Sequence, residues 1–181
     1  MPDPPLATSQ MALRPFEVRD FEAAQDLSTD PVAARWVPPL PASDGGGVVA
    51  FFDACRRAGE LLHLVIADVP DDGYLGEVML AIGEQGVAEI GCGLLPAGRG
   101  RGVAVDAVAS LTRWAFATLD LGRIQAFVAT ENHAALRLVE RAGFRREGVL
   151  RAYWDGENGR LDAVVLSLLP GDRAPFRPPG S

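Results

Sequence analysis

The segment of the sequence best suited to chemistry is a glycine- and arginine-rich turn between a predicted strand and a predicted helix. In it, Arg99 and Arg101 alternate with Gly100 and Gly102, directly before the apolar run that begins at Val103. Glycine lets the backbone approach a ligand closely, and the amides at a helix N-terminus favour a negative charge. The two guanidinium groups add positive charge. The turn therefore indicates a site for a phosphate or a pyrophosphate.

Two widespread phosphate-binding loops do not fit this turn. A Walker loop has Lys and then Ser or Thr after its second glycine, whereas Gly98 is followed by Arg99 and Gly100. A dinucleotide-binding fingerprint needs a third glycine, and none follows Gly102 at the required spacing. The remaining alternative to a ligand site is a strand-to-helix turn that uses glycine for its conformation alone.

Three segments of the chain together resemble one family. The turn, RGRGVA over residues 99–104, matches the R/Q-x-x-G-x-G/A acetyl-CoA motif of the GNAT superfamily. Residues 131–154, ENHAALRLVERAGFRREGVLRAYW, resemble the second motif of its ribosomal-protein N-acetyltransferase (RimJ/RimL-like) branch, and residues 13–37 resemble the opening strand and helix of that branch. The resemblance spans about residues 12–169. It implies an acetyl-CoA-dependent N-acetyltransferase acting on a primary amine, either a protein N-terminus or a small molecule.

The resemblance also implies where acetyl-CoA lies. The strands before and after the long helix would splay apart, and the cofactor would insert between them. Backbone groups of Gly93, Leu94 and Leu95 would pair with the pantetheine arm. The pyrophosphate would bind to the backbone amides of Arg99, Gly100, Arg101, Gly102, Val103 and Ala104. Asn132 would hold the arm near its sulfur or cap the helix that follows it, and both roles stay open.

Acetyl transfer to an amine needs a base, because an alkyl ammonium is almost fully charged at neutral pH. Glu89 is the first candidate, since its strand resembles the one that carries a glutamate base in the histone-acetyltransferase branch. A solvated carboxylate at a strand end is its alternative role. Glu77, in the neighbouring strand, is the second candidate. Tyr153 is a candidate acid, because Val139 and Ala135 stand where family members often carry Tyr or Ser; water, or no dedicated acid, is the alternative.

Two further residues bear on the site. Trp36, beside a proline-rich loop, is expected to form a wall of the acceptor pocket. Cys92 lies on the motif strand, where an acetylated cysteine is conceivable, but a small apolar cysteine is more often a packing residue. The lack of the usual acid keeps a second function open, that of a non-catalytic acyl-CoA-binding sensor or interaction module. Direct transfer in a ternary complex is the mechanism predicted here.

The elements that must position these residues alternate between extended and helical patterns. Strands are expected over residues 11–18, 61–69, 74–82, 87–95, 123–130, 144–154 and 160–169. Helices are expected over residues 21–28, 47–58, 103–119 and 132–142, with a short one over 31–36. The predicted class is mixed α/β (α+β): a GNAT fold whose central, mostly antiparallel, seven-stranded sheet has splayed fourth and fifth strands and is flanked by about four helices.

Length and composition set the limits of function. The 181 residues are 48% hydrophobic and 23% charged, which predicts one domain over 11–169 between flexible tails at 1–10 and 170–181. A net charge of −7 disfavours nucleic acid as a partner and suits a cationic amine. With two cysteines and two histidines a metal site is not expected. We expect a cytoplasmic monomer or homodimer that does not contact a membrane, because no apolar run approaches about 20 residues.

Overall fold

The computed structural model describes residues 6–37, 39–156 and 159–172. Its strands and helices alternate along the chain much as the sequence predicts. In chain order they are β1 (Leu6–Ala7), β2 (Met11–Pro15), α1 (Phe21–Thr29), α2 (Gly45–Ala58), β3 (Leu61–Asp68), β4 (Tyr74–Ile82), β5 (Val87–Leu94), α3 (Val103–Thr118), β6 (Arg123–Ala129), α4 (His133–Arg141), β7 (Arg145–Gly156) and β8 (Gly159–Leu168).

The eight strands form one sheet in the order β1-β2-β3-β4-β5-β6-β8-β7. Every neighbouring pair is antiparallel except β5 and β6, which run parallel because α3 carries the chain back between them. The mixed class and the mostly antiparallel sheet are as predicted. The sheet has eight strands in place of seven, because Leu6–Ala7 pairs with Leu13 and Ala12 inside the segment predicted as a tail.

Two local expectations need adjustment. Residues 31–36 form hydrogen-bonded turns and no α-helix: Ala34 N donates to Asp30 O at 2.8 Å and Val37 N to Ala33 O at 2.8 Å. Helix α2 begins at Gly45, two residues before its predicted start, since the Asp44 side chain accepts a bond from Gly47 N at 2.8 Å. The C-terminal tail beyond residue 172 and the tip of the last hairpin, residues 157–158, lie outside the described residues.

The sheet separates two apolar layers. The larger one packs α3 and α4 against one face, where α3 buries residues spaced one helical turn apart, among them Val103, Ala107 and Leu111. Each fully buried leucine contributes roughly 2 kcal/mol of transfer free energy. The smaller layer packs α1 and α2 against the other face around Phe16 and Val65. The buried residues of β5 and β6, among them Ile90 and Ile124, belong to the larger layer, so the packing of α3 and α4 holds these two strands in place.

Strands β5 and β6 pair over only three residues each. Val87 to Glu89 align with Arg123 to Gln125, and beyond that point the strands diverge. The predicted splay is therefore present, between the fifth and sixth strands of the eight. Because the pairing stops while both strands continue, backbone N–H and C=O groups along the diverging edges have no strand partner there.

Candidate active site

A cavity of about 480 Å³ opens where β5 and β6 diverge. Its sides are formed by residues 90–93 of β5 and 126–129 of β6, and α4 lines it as well. Part of its rim is formed by residues 35–37, at the end of the turn over residues 30–37. Most of its lining is apolar, with two carboxylates, Glu89 and Asp155, and one guanidinium, Arg35. An apolar cleft with a few polar groups at a break in a sheet is typical of a small-molecule site.

The backbone of β5 alternates between its neighbour β4 and the open gap. Leu95 N donates to Leu75 O at 2.9 Å, on the β4 side. Since backbone groups alternate in direction along a strand, Gly93 also faces β4, while Cys92 and Leu94 face the gap. Of the three residues expected to pair with a pantetheine arm, only Leu94 therefore has gap-facing groups, and its carbonyl oxygen already accepts from the Arg99 side chain. Cys92, which the sequence did not assign to this edge, also has gap-facing groups, and only the register of β4 and β5 shows which alternate residues face the gap.

The glycine-rich turn presents free amides beside this cavity. Gly100 and Gly102 have φ values of +76° and +85°, a left-handed conformation that other residues adopt only with strain. In the described part of the chain the amides of residues 100–104 donate to no acceptor, whereas Arg99 N donates to Pro96 O at 3.1 Å. The turn and the first residues of α3 thus offer adjacent N–H donors at the positive end of a 16-residue helix.

Both arginine side chains of the turn are already paired. The Arg101 guanidinium makes a two-point contact with Asp68, at 2.8 and 2.9 Å. The Arg99 guanidinium donates to Leu94 O, at 2.9 Å from Nη2 and 3.1 Å from Nε, and also contacts the Asp30 carboxylate. The positive charge that the sequence assigns to a phosphate is therefore balanced by protein carboxylates. In this geometry the backbone amides are the groups free to bind an anion.

The two glutamates proposed as bases lie in different surroundings. Glu89 lines the cavity, and no hydrogen bond or ion pair to its carboxylate is found within the described residues. Loss of hydration raises the pKa of Glu89 above its usual value. Glu77 is buried and does not line the cavity; its Oε2 accepts from the Tyr74 hydroxyl at 3.1 Å and lies 3.1 Å from His63 Nε2. Of the two carboxylates, only that of Glu89, an exposed residue, is accessible from the cavity.

The aromatic side chains differ from the sequence expectation at one position. Trp36 lines the cavity, as expected for an acceptor wall. Tyr153 is 40% exposed and does not line it; its ring stacks on Phe127 with centroids 5.1 Å apart. Its neighbour Trp154 lines the cavity instead, because a bulge lies between Leu150 and Trp154 of β7. The geometry therefore gives no support to Tyr153 as an acid.

Asn132 both caps α4 and faces the cavity. Its Oδ1 accepts from Ala135 N at 3.1 Å, which satisfies one amide of the first turn. Its side-chain amide nitrogen has no hydrogen-bond partner among the residues described. The two roles left open by the sequence are thus compatible in geometry, since capping uses the oxygen and leaves the nitrogen as a donor.

Cys92 lines the same cavity, but its chemistry is unfavourable for a nucleophile. Loss of hydration, with a smaller contribution from the charge of Glu77, raises the pKa of the Cys92 thiol to about 12. At neutral pH the thiolate, which is the reactive form, is then almost absent. The site therefore favours direct transfer over an acetylated cysteine.

Comparisons with known proteins identify the family and the fold of this chain. The family model for the acetyltransferase (GNAT) domain matches residues 10–145. The chain is 28% identical over 174 residues to the uncharacterized N-acetyltransferase p20 of Bacillus licheniformis, which covers 93% of this chain and 98% of p20. Among solved structures it is similar to Mycobacterium smegmatis RimJ in complex with CoA-disulfide, with a TM-score of 0.76, 24% identity, and 88% and 82% of the two chains covered.

A second solved structure carries both a cofactor and an amine. Spermidine N-acetyltransferase from Vibrio cholerae, in complex with CoA and spermine, has a TM-score of 0.76 and 24% identity and covers 90% of this chain and 96% of its own. Both structural likenesses concern the fold.

None of the helices in the described part of the chain is both long enough and apolar enough to cross a membrane.

Proposed function

This chain belongs to the GNAT acetyltransferase family, and on that premise we propose that it transfers an acetyl group from acetyl-CoA directly to a primary amine. It is an acetyl-CoA-dependent acyltransferase, and acetyl-CoA is the donor that GNAT acetyltransferases use. The acceptor in this proposal is a protein N-terminus or a small-molecule amine. The spermidine N-acetyltransferase, which is similar in fold, is named for an acceptor of the second kind.

The observation that carries the proposal is the coincidence of three features at one place. Strands β5 and β6 stop pairing after three residues, a cavity of about 480 Å³ lies in the resulting gap, and free amides stand at the start of α3 beside it. A pantetheine arm has amide groups that can pair with the open edge of β5, and a pyrophosphate suits the amides of residues 100–104. The residues present therefore fit acetyl-CoA.

The reaction that follows is an acyl substitution. The amine nitrogen attacks the thioester carbonyl carbon, a C–N bond forms, and the C–S bond breaks to release the thiolate of coenzyme A, which takes up through water the second proton that the nitrogen loses. The oxyanion of the tetrahedral intermediate needs hydrogen-bond donors, and the gap-facing amide of Cys92 is in a position to supply one. An apolar cavity strengthens such a bond, since it excludes water.

Glu89 is the proposed base. The acceptor ammonium must lose a proton before it attacks, and Glu89 is a carboxylate in the wall of the cavity with no cation paired to it in the described residues. The pKa of Glu89 is raised, so it lies closer to the pKa of an amine than the pKa of an ordinary glutamate does. A smaller difference between the two pKa values favours proton transfer. A water between Glu89 and the amine is allowed by this scheme.

No side chain is assigned as the acid. Val139 and Ala135 line the cavity at the positions where a donor is common in the family, and neither has a proton to donate. The thiolate of coenzyme A is a tolerable leaving group near neutral pH, because an ordinary thiol has a pKa of about 8.5. The lack of a proton donor at Val139 and Ala135 also favours the second candidate function, that of a non-catalytic protein that binds acyl-CoA without turnover.

One experiment separates the two candidates. The purified protein is mixed with acetyl-CoA and a panel of amines that includes short peptides with free N-termini, spermidine and simple monoamines, and free thiol is measured over time. Amine-dependent thiol release supports the transferase. Binding of acetyl-CoA, measured by calorimetry, with no thiol release from any amine supports the non-catalytic module. Failure to bind acetyl-CoA at millimolar concentration contradicts both.

A further inference from the structure

The turn over residues 30–37 forms one rim of the cavity but has little secondary structure of its own. Its last three residues, Arg35, Trp36 and Val37, all line the cavity. Val37 packs directly on β5: a Cβ at Gly93 would lie 2.6 Å from Val37 Cγ2, so only glycine allows this approach. We call residues 30–37 the acceptor rim. Besides this packing and the buried Ala33, polar contacts hold the rim at its two ends.

The first end of the acceptor rim is held by one carboxylate. Asp30 Oδ1 accepts from Val32 N at 3.1 Å and from Ala33 N at 2.8 Å, and the same carboxylate contacts the Arg99 guanidinium. The pKa of Asp30 is lowered by Arg99 first and by the Ala33 amide second, as expected for a charge used in this way. Asp30 therefore organises the rim and attaches it to the glycine-rich turn.

The second end is held more weakly. Arg35 lies 3.5 Å from Glu131 across the cavity mouth, and its guanidinium stands 4.9 Å from the centre of the Trp36 ring. Both partners of this ion pair are more than half exposed, so water and salt screen their attraction. The pair of Asp30, whose side chain is only 12% exposed, with Arg99 is the stronger of the two attachments.

Arg99 connects this rim to the cofactor side of the site. Its guanidinium donates twice to Leu94 O, which faces the gap between β5 and β6, and also contacts Asp30. The planar fork of an arginine can hold two such acceptors in fixed directions, which a lysine cannot do. One side chain of the acetyl-CoA motif is thus bonded to the strand edge and to the acceptor rim at the same time.

We propose that Arg99 is a positioning residue for the acceptor, holding the acceptor rim through Asp30, and that it does not bind phosphate with its side chain. This inference rests on the proposed function, because it assigns a role within the same reaction. It predicts that loss of the Arg99–Asp30 contact weakens acceptor binding while acetyl-CoA binding persists. The amides of residues 100–104, which hold no bond to Asp30, remain available for the cofactor.

The first test is Asp30→Asn, measured with the best amine of the panel. Asparagine keeps an oxygen for the Val32 and Ala33 amides and removes only the charge that faces Arg99. We expect the KM for the amine to rise roughly tenfold, since a displaced positioning element costs up to about 10²-fold in such reactions. The dissociation constant for acetyl-CoA should stay within about twofold. An unchanged KM for the amine in a variant that melts like the wild type would overturn the proposal.

The chain offers a matched control at Asp68, whose partner Arg101 lies two residues after Arg99. Asp68→Asn removes the carboxylate that pairs with Arg101, a neighbouring arginine of the same turn, at a place that contributes nothing to the acceptor rim. It should leave the KM for the amine unchanged. An equal rise in this control would show a general effect of charge on the turn, and would also count against the proposal.

Two further measurements keep the proposal falsifiable if Asp30→Asn folds poorly or if the protein has no turnover. Arg99→Gln leaves the Asp30 bonds to Val32 and Ala33 in place, and the double variant Asp30→Asn/Arg99→Gln should be no worse than either single one if the two residues act through each other. Hydrogen exchange of the backbone amides of residues 32–37 needs no activity. The exchange should be faster in Arg99→Gln than in the wild type, and unchanged in Asp68→Asn. Unchanged exchange in Arg99→Gln contradicts the proposal, whether or not the protein proves to be an active transferase.

Discussion

At the scale of single residues, environment decides between two glutamates of the same chemistry. Glu77 is enclosed by His63 and Tyr74 on the α2 side of the sheet, where it completes a buried polar cluster. Glu89 stands in the cavity wall without such partners in the described chain, and its pKa is raised by loss of hydration. A base must reach its substrate, so accessibility favours Glu89 even though Glu77 has the more elaborate contacts.

Glu89→Gln should slow turnover and leave acetyl-CoA binding intact. Loss of a general base typically costs about 10²–10⁴-fold in rate. The deficit should shrink at high pH, where the amine is already neutral and needs no base. The measurement is kcat against pH for both proteins, with acetyl-CoA affinity by calorimetry. A deficit of equal size at every pH would indicate that Glu89 positions the substrate and does not remove its proton.

The Tm of Glu89→Gln serves as the folding control for this variant. The direction of its change from the wild-type Tm follows from the pKa of Glu89. Because the folded-state pKa of Glu89 is raised, its charge opposes folding above that pKa, whereas below about pH 4 the residue is protonated in both states. Glu89→Gln should therefore not lower Tm at pH 7, and any gain should vanish in acid. A lower Tm at pH 7 would mean that the rate loss includes a folding defect.

At the scale of elements, the strand–turn–helix unit of β5 and α3 determines where a ligand can bind. Parallel strands need a crossover, and α3 supplies it, so that β5 and β6 meet only at their first residues and diverge beyond. The same crossover points the N-terminus of α3 at the gap. The left-handed conformations of Gly100 and Gly102 turn the chain so that the amides of residues 100–104 are not used internally.

Gly102→Asp should abolish the rise in Tm that acetyl-CoA gives the wild-type protein. The change adds a negative charge beside the amides proposed for the pyrophosphate, although no atom lies within 4 Å of a Cβ at this position. The rise itself is expected by mass action on the folded state. Gly102→Asn is the matched control: it has the same size and tolerates a left-handed φ, but it is neutral. Equal losses in both variants would point to backbone strain and not to charge.

At the scale of the whole molecule, an ion-paired cluster joins β2, the start of α1 and the β3–β4 turn. Arg14 on β2 makes a two-point contact with the buried Asp20, at 2.7 and 2.8 Å, and its Nε donates to Asp72 in the β3–β4 turn at 2.8 Å. Asp20 Oδ2 also accepts from Glu17 N at 2.8 Å. This cluster joins the start of α1 to the sheet, and α1 leads directly into the acceptor rim.

Asp20→Ala should lower the free energy of unfolding by about 3–5 kcal/mol, because it leaves the largely buried Arg14 without its main partner. Urea unfolding at pH 7 measures the change. The control is Glu140→Ala, which removes an exposed ion pair to Arg146 and should cost at most about 1 kcal/mol. A loss below about 1 kcal/mol for Asp20→Ala would show that water or Asp72 compensates Arg14.

The sequence by itself determined most of the elements, the class of fold and the location of the glycine-rich turn, whereas the strand at Leu6–Ala7 was not predicted and the short helix over residues 31–36 is absent. The features that it determined depend on local patterns: apolar residues at helical spacing in α3, alternating strands, and glycines whose conformation is set within a few residues. The domain limits and the catalytic and cofactor roles of individual residues stay predictions. Glu89 was identified from a resemblance in its strand, and its cavity position agrees with that choice.

Only the tertiary structure decided which side chains meet. In β7, Ala152 has a φ of +53°, and its backbone N–H donates a hydrogen bond to Asp162 Oδ1. The resulting bulge brings Trp154 and not Tyr153 to the cavity. Arg99 and Asp30 are 69 residues apart, and their contact depends on how the acceptor rim packs on β5. Strand bulges and long-range ion pairs come from the balance of packing over the whole sheet, which no short stretch of sequence encodes.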